Sequence, residues 1–162
     1  MTKQILSNRK SALLIDADIK NESADALNKY LVNFTNLFLI TKQAHWNLQG
    51  KNFISIHEML DTFYESLQKY SDIFAERLVQ LGFVAITTPE QLVKNNIFEE
   101  YPSNISSETE HLSALHFRYS SIANQLRKTV EDASVDAVTL DYLAQALAEL
   151  DKFIWFIEAH LN

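Results

Sequence analysis

FISIHEMLDTFYESLQKYSDIFAERLVQLG, residues 53–82, runs for thirty residues with no proline and a single glycine at its end. Its apolar positions include Ile56, Leu60, Phe63, Leu67, Tyr70, Phe74 and Leu81, recurring mostly at steps of three and four, which lays them along one face of a helix. The spacing predicts a helix from about Phe53 to Leu81, stopped by Gly82. The same segment carries His57, Asp61, Asp72 and Glu76, spaced four, eleven and four apart. At 100° per residue, eleven steps return to within about 20° of the start, so Asp61 and Asp72 point nearly the same way. Each has a partner four residues away, and the helix therefore bears two pairs of metal-competent side chains on one stripe.

The two pairs cannot hold one ion within one chain, because eleven helical residues span about 16 Å and metal–ligand bonds are about 2 Å. If a twofold mate lays its own copy of this helix antiparallel, crossing near Ser66 and Leu67, His57 and Asp61 meet Asp72 and Glu76 of the mate, and two equivalent sites form. His45 fits as a third ligand from the first chain, since the short loop through Gly50 returns it beside the start of this helix. Two histidines and three carboxylates suit iron(II). A solvated helix face would show similar residues, however: Glu58, Glu65, Lys69 and Arg77 share the segment, and Glu65 with Lys69 is an ordinary stabilising pair. His45, at the end of an apolar stripe, equally suits a hydrogen-bonded core position. Spacing alone leaves both readings open.

The flanking sequence supplies the other helices. Upstream, Leu27, Leu31, Phe34, Phe38, Thr41 and His45 mark one buried face of a helix that starts near Asn21 or Ser23, either of which can cap it. Downstream, Thr88-Pro89-Glu90-Gln91 signals a short helix. Ser107-Glu108-Thr109-Glu110 opens another, carried to about Val130 by Leu112, Leu115, Tyr119, Ile122 and Leu126. A last helix runs from about Asp136 to the end. The chain contains only two Gly and two Pro, in keeping with long helices. Four long helices with one long crossover, and a short extra helix within it, describe an all-α, ferritin-like four-helix bundle. Residues 1–20, weakly patterned, are read as a flexible arm, and residues 21–162 as one bundle domain.

Composition excludes several chemistries. With no cysteine, thiol nucleophiles, disulfides and iron–sulfur clusters are ruled out. A formal charge of -7 opposes nucleic-acid binding by the body of the protein and suits attraction of cations. No apolar run is long enough to cross a bilayer and no signal-like segment is visible, so a cytoplasmic location is expected. An iron pair inside one bundle needs inward carboxylates from each helix, yet no Asp or Glu occurs from Ala26 to His57. Glu108 and His111 have Glu-x-x-His spacing, but only once and at a helix start, and His111 is read as a surface residue.

The run Ile40-Thr41-Lys42-Gln43-Ala44-His45-Trp46-Asn47, then Gly50, Asn52-Phe53 and His57-Glu58-Met59-Leu60-Asp61, resembles the Dps family, the DNA-binding proteins from starved cells. Asp72, Ala75-Glu76-Arg77 and Leu81-Gly82 continue the match, as does Asp151-Lys152-Phe153-Ile154-Trp155-Phe156-Ile157-Glu158 in the last helix. The resemblance implies a hollow dodecamer that oxidises iron(II) to iron(III) at dimer interfaces, with hydrogen peroxide or oxygen as oxidant, and stores ferric mineral. It implies His45, His57 and Asp61 as ligands from one subunit and Asp72 and Glu76 from its mate. Trp46 looks like the near-site aromatic of that family, with packing as its other reading. Trp155 is expected in the core or at an interface. Asp141 looks like a pore residue with Asp136 as companion, unless both only favour a helix start. Family DNA binding depends on Lys-rich terminal arms, whereas this chain offers Lys3, Arg9, Lys10 and, farther on, Lys20. Weak, salt-sensitive DNA binding or none is expected, with nucleoid association as the alternative to a free cytoplasmic particle.

Overall fold

A computed structural model describes residues 11–162, so Lys3, Arg9 and Lys10 of the expected arm lie outside the described residues. The chain forms α1 (Ala17–Asn47), α2 (Phe53–Gln80), α3 (Pro89–Asn95), α4 (Glu108–Asp132) and α5 (Ala137–Leu161). This is the expected bundle, with α3 as the short helix of the crossover. Among the described residues no helix is long and apolar enough to cross a membrane.

Local chemistry sets the helix ends. The first helix begins earlier than the Asn21 or Ser23 read from the sequence, because the Asp16 carboxylate accepts from the backbone N–H of Asp18 (2.9 Å) and Ile19 (3.4 Å) and so satisfies two orphan donors. Ser107 and Glu110 form the expected reciprocal capping box of α4. Gly82, at φ 95°, ends α2 in a left-handed turn that lets the Phe83 N–H reach the Leu78 carbonyl at 3.0 Å.

The apolar stripes meet where their periods require. α1 packs chiefly on α2, and α4 on α5. Phe34 of α1 sets its edge on Phe74 of α2, with centroids 5.2 Å apart, and Phe63 stacks on Phe153 of α5 at 4.0 Å. Each such side chain, fully buried, contributes about 1.5–3 kcal/mol relative to exposure. The buried hydroxyls of Thr41 and Tyr119 satisfy each other at 2.8 Å and join α1 to α4.

Three sequence expectations change. Trp155 is 63% exposed within the chain, because Leu150, Phe153 and Ile157 form the inward stripe of α5 and Trp155 points the other way. It is not a core residue. His111 is buried rather than at the surface, since the crossover folds back over the first turn of α4 and the Tyr101 hydroxyl meets His111 Nδ1 at 2.9 Å. Of the two readings given for Asp136, the helix-start one holds and the pore one does not: it is buried as the N-cap of α5, where its carboxylate bonds Thr139 and accepts from Arg77 Nη2 at 2.7 Å. Burial pushes the Asp136 carboxyl up, but the Thr139 and Arg77 bonds outweigh it and leave it below the usual carboxylate range. Asp141 is exposed and accepts from Gln145 at 2.7 Å.

Candidate metal centre

The turn at residues 48–52 brings the end of α1 beside the start of α2. It is pinned from outside: the Gln49 N–H donates to the Ser106 carbonyl at 2.7 Å, and the Glu108 N–H donates to the Gln49 carbonyl at 3.0 Å. The Glu108 side chain then spans the start of α2, accepting from the Asn52 backbone N–H at 3.1 Å and the Asn52 side-chain amide at 2.9 Å. A carboxylate in that position also complements the positive end of the helix dipole. The fit leaves no room for a side chain on the loop, as a Cβ on Gly50 would lie 2.1 Å from Glu108 Oε2.

Held this way, His45 and His57 stack with ring centroids 3.6 Å apart. Their backbone bonds are reciprocal: His45 Nδ1 lies 3.0 Å from the His57 carbonyl, and His57 Nδ1 lies 3.0 Å from the His45 carbonyl. A carbonyl only accepts, so each Nδ1 carries a proton, and in the neutral ring Nε2 is the nitrogen left with a lone pair for a metal. Asp61, one turn beyond His57, completes a group whose candidate donor atoms all lie within 4.8 Å of one another. Among the described residues no other trio of His and carboxylate donors comes together in this way. His45 is buried and hydrogen-bonded, as its core reading requires, and its Nε2 is the ring nitrogen not engaged by the His57 carbonyl.

Asp72 and Glu76 lie elsewhere. Both are exposed on the C-terminal half of α2, and their carboxylates make no hydrogen bond or ion pair among the described residues. One chain therefore brings together three of the five expected ligands and leaves two apart. Trp46, next to His45 in sequence, is 69% exposed and lies outside the core of the described residues.

Two residues of the site carried no assignment from sequence. The Lys42 ammonium pairs with Asp61 Oδ1 and also lies 3.5 Å from His45 Nε2. Lys42 stands one turn before His45 on the same face, which was the available signal. It sits over the Tyr64 ring, 4.8 Å from the centroid. That bond to Lys42 holds the Asp61 carboxyl below the usual carboxylate range, while burial pushes the His45 imidazole down and favours its neutral form.

The ferritin-like domain family matches residues 24–162. Two curated relatives are each described as a DNA protection during starvation protein. That of Agrobacterium fabrum is 40% identical over 150 residues, covering 91% of this chain and 93% of the relative. That of Mycolicibacterium smegmatis is 37% identical over 143 residues, covering 88% and 78%. Among solved structures, the tetragonal form of Mycobacterium smegmatis Dps superposes with a TM-score of 0.90 at 33% identity, covering 96% of this chain and 94% of that one. The chain belongs to the Dps family. The motif resemblance read from residues 40–82 and 151–158 is borne out, as is the ferritin-like fold. In this Dps-family chain His45, His57 and Asp61 of the motif form the candidate donor trio, while Gly50 and Asn52 make room for or receive the Glu108 brace of the turn.

Proposed function

We propose that this Dps-family protein is a ferroxidase and iron store whose reaction site is shared by twofold-related subunits. His45, His57 and Asp61 of one subunit hold iron(II), and Asp72 and Glu76 of its mate complete the coordination. The observation that carries this reading is the division of the ligand set: a pre-oriented but incomplete trio at one end of α2, and two uncommitted carboxylates on the same helix. Two imidazoles with carboxylates make a donor set suited to iron(II). The negative charge of the chain raises the local concentration of cations.

With hydrogen peroxide as oxidant, two iron(II) ions each give up one electron, the O–O bond breaks, and two protons are taken up to form two waters. Oxygen serves as the alternative oxidant. The assembly is a dodecamer that retains the ferric product. Protection of DNA, which the names of the relatives record for those proteins, follows here from removing iron(II) and peroxide together. Direct DNA contact through Lys3, Arg9 and Lys10 is weak and salt-sensitive on this reading.

Complementation tests the shared site. One variant carries His57→Ala with Asp61→Ala, the other Asp72→Ala with Glu76→Ala, and each assembly alone is inactive. When the two are co-assembled in equal amounts, every mixed dimer regains one intact site, so about a quarter of the wild-type ferric-forming activity returns. A site contained within one subunit recovers nothing.

A further inference from the structure

The crossover between α3 and α4 is clamped by two side chains of α4, Arg118 and His111, that share one aromatic ring. Arg118 is 7% exposed and donates through Nη2 to the carbonyls of Glu99 (3.2 Å) and Glu100 (3.4 Å), and through Nη1 to that of Ala114 (2.9 Å). Its guanidinium lies 5.0 Å from the centroid of the Tyr101 ring and forms no ion pair among the described residues. The Tyr101 hydroxyl meets His111 Nδ1 at 2.9 Å, while His111 Nε2 is buried and faces the Ile105 carbonyl without closing a full hydrogen bond. Farther along the same segment, the Ser106 carbonyl accepts from Gln49 and the Glu108 N–H donates to Gln49. One stretch of chain therefore joins His111 to the turn that aims His45 and His57.

We propose that His111 is an acid-sensitive positioning residue of the metal centre: neutral, it seats Tyr101 and keeps residues 101–108 on the turn at 48–52, and protonated, it releases them. The consequence for metal holding rests on the ligand role of His45, His57 and Asp61 proposed above. A carbonyl only accepts, so in the neutral ring Nε2 carries the proton toward Ile105 and Nδ1 accepts from the Tyr101 hydroxyl. Protonation fills Nδ1. Tyr101, a phenol that burial pushes up to about 12, keeps its own proton and must turn it away. A second buried cation then lies beside the ring that already carries Arg118. The one carboxylate acting on His111 is Glu110 of the same helix, which is exposed and committed to the Ser107 N–H and hydroxyl; burial outweighs its attraction. Tyr119, held by Thr41, acts on Tyr101 in turn, and no charged group of α1 or α5 among the described residues acts on His111. Once released, the imidazole regains the ordinary histidine range near pH 6.5, so from pH 7.5 to 5.5 the released form gains about tenfold over the held one.

Hydrogen–deuterium exchange of the assembled full-length protein, corrected for the intrinsic pH dependence of amide exchange, reads the opening of the Gln49 and Glu108 amides. In metal-free wild type that opening is expected to rise about five- to tenfold from pH 7.5 to 5.5, while amides around Arg77 change by less than about twofold. His111→Gln keeps a neutral hydrogen-bonding side chain that takes up no proton in this range, and is expected to hold the rise to within about twofold. Tyr101→Phe keeps the ring beside Arg118 but loses the hydroxyl, and is expected to raise the opening about fivefold already at pH 7.5. The inference is overturned by a wild-type opening that does not change with pH, by a rise that survives His111→Gln, or by a rise shared equally with the Arg77 end. If His111→Gln does not assemble, Tyr101→Phe decides: an opening equal to wild type at pH 7.5 overturns the inference. Saturating cobalt(II) reports separately on the ligand role, because it should slow exchange of the turn in wild type at pH 7.5 and not in His57→Ala. Absence of slowing in wild type ends that role and leaves the metal-free result to judge His111.

Discussion

At the N-terminal half of α2, His57 and Asp61 are tied into the chain by His45, Lys42 and the Glu108-braced turn. At the C-terminal half, Asp72 and Glu76 lie exposed, while Arg77 beside them is buried and paired with Asp136. Both halves carry metal-competent side chains at the same spacing, yet one has its surroundings within the subunit and the other does not. Pre-orientation is therefore local to one end of the helix, and the remaining chemistry is left on a surface. On the proposed function, the two ends of this helix are two half-sites: one end fixes geometry, and the other offers charge to the mate.

Three substitutions sharpen or break that contrast. The largest effect is expected from Arg77→Met. It leaves the Asp136 carboxylate buried without its partner and detaches the end of α2 from the start of α5, at a cost of about 3–5 kcal/mol. Urea unfolding measures it, and a midpoint close to wild type means that the C-terminal half is not anchored by this pair. Next is Gly50→Ala. The new methyl pushes the Glu108 carboxylate off Asn52, and after the gain from a stiffer unfolded chain the net loss is about 1 kcal/mol. Cobalt(II) affinity should fall in parallel, because the brace that positions His57 is released, while the Arg77 end is untouched. An unchanged affinity separates the brace from the site.

The smallest effect concerns pH. Burial pushes the His111 imidazole down, so between the ordinary histidine range and its lowered value the unfolded chain binds the extra proton and the folded chain does not. The stability tied to this group is complete above about pH 6.5 and is lost as pH falls below it. His111→Phe should flatten that part of the Tm against pH curve between about pH 7 and 5. A slope unchanged by the substitution shows that His111 is not its source.

What was legible in the sequence was whatever repeats locally. The stripes of α1 and α2, the capping box at Ser107, the stop at Gly82 and the four-residue spacing of the metal-competent pairs all follow from helical period and end chemistry. Contacts between distant segments left no such mark. Glu108 reads as an ordinary acidic first-turn residue, and only folding shows that it braces Asn52, 56 residues away. His111 reads as a surface histidine because the segment that covers it, around Tyr101, has no periodic pattern. Asp16 falls in the weakly patterned stretch read as an arm, and its capping of α1 appears only when its backbone partners are seen. Lys42 stands within the motif but reads like any exposed lysine, since nothing in the spacing tells a cation that rests on a carboxylate from one that rests in water.

The crossed carbonyl bonds of the two histidines carry a last implication. Each imidazole is aimed by the main chain of the other residue, so neither can be re-aimed alone. An evolving or engineered variant that changes which ion it prefers must therefore do so through the acids and the lysine around this closed loop, leaving the imidazole pair as its fixed point.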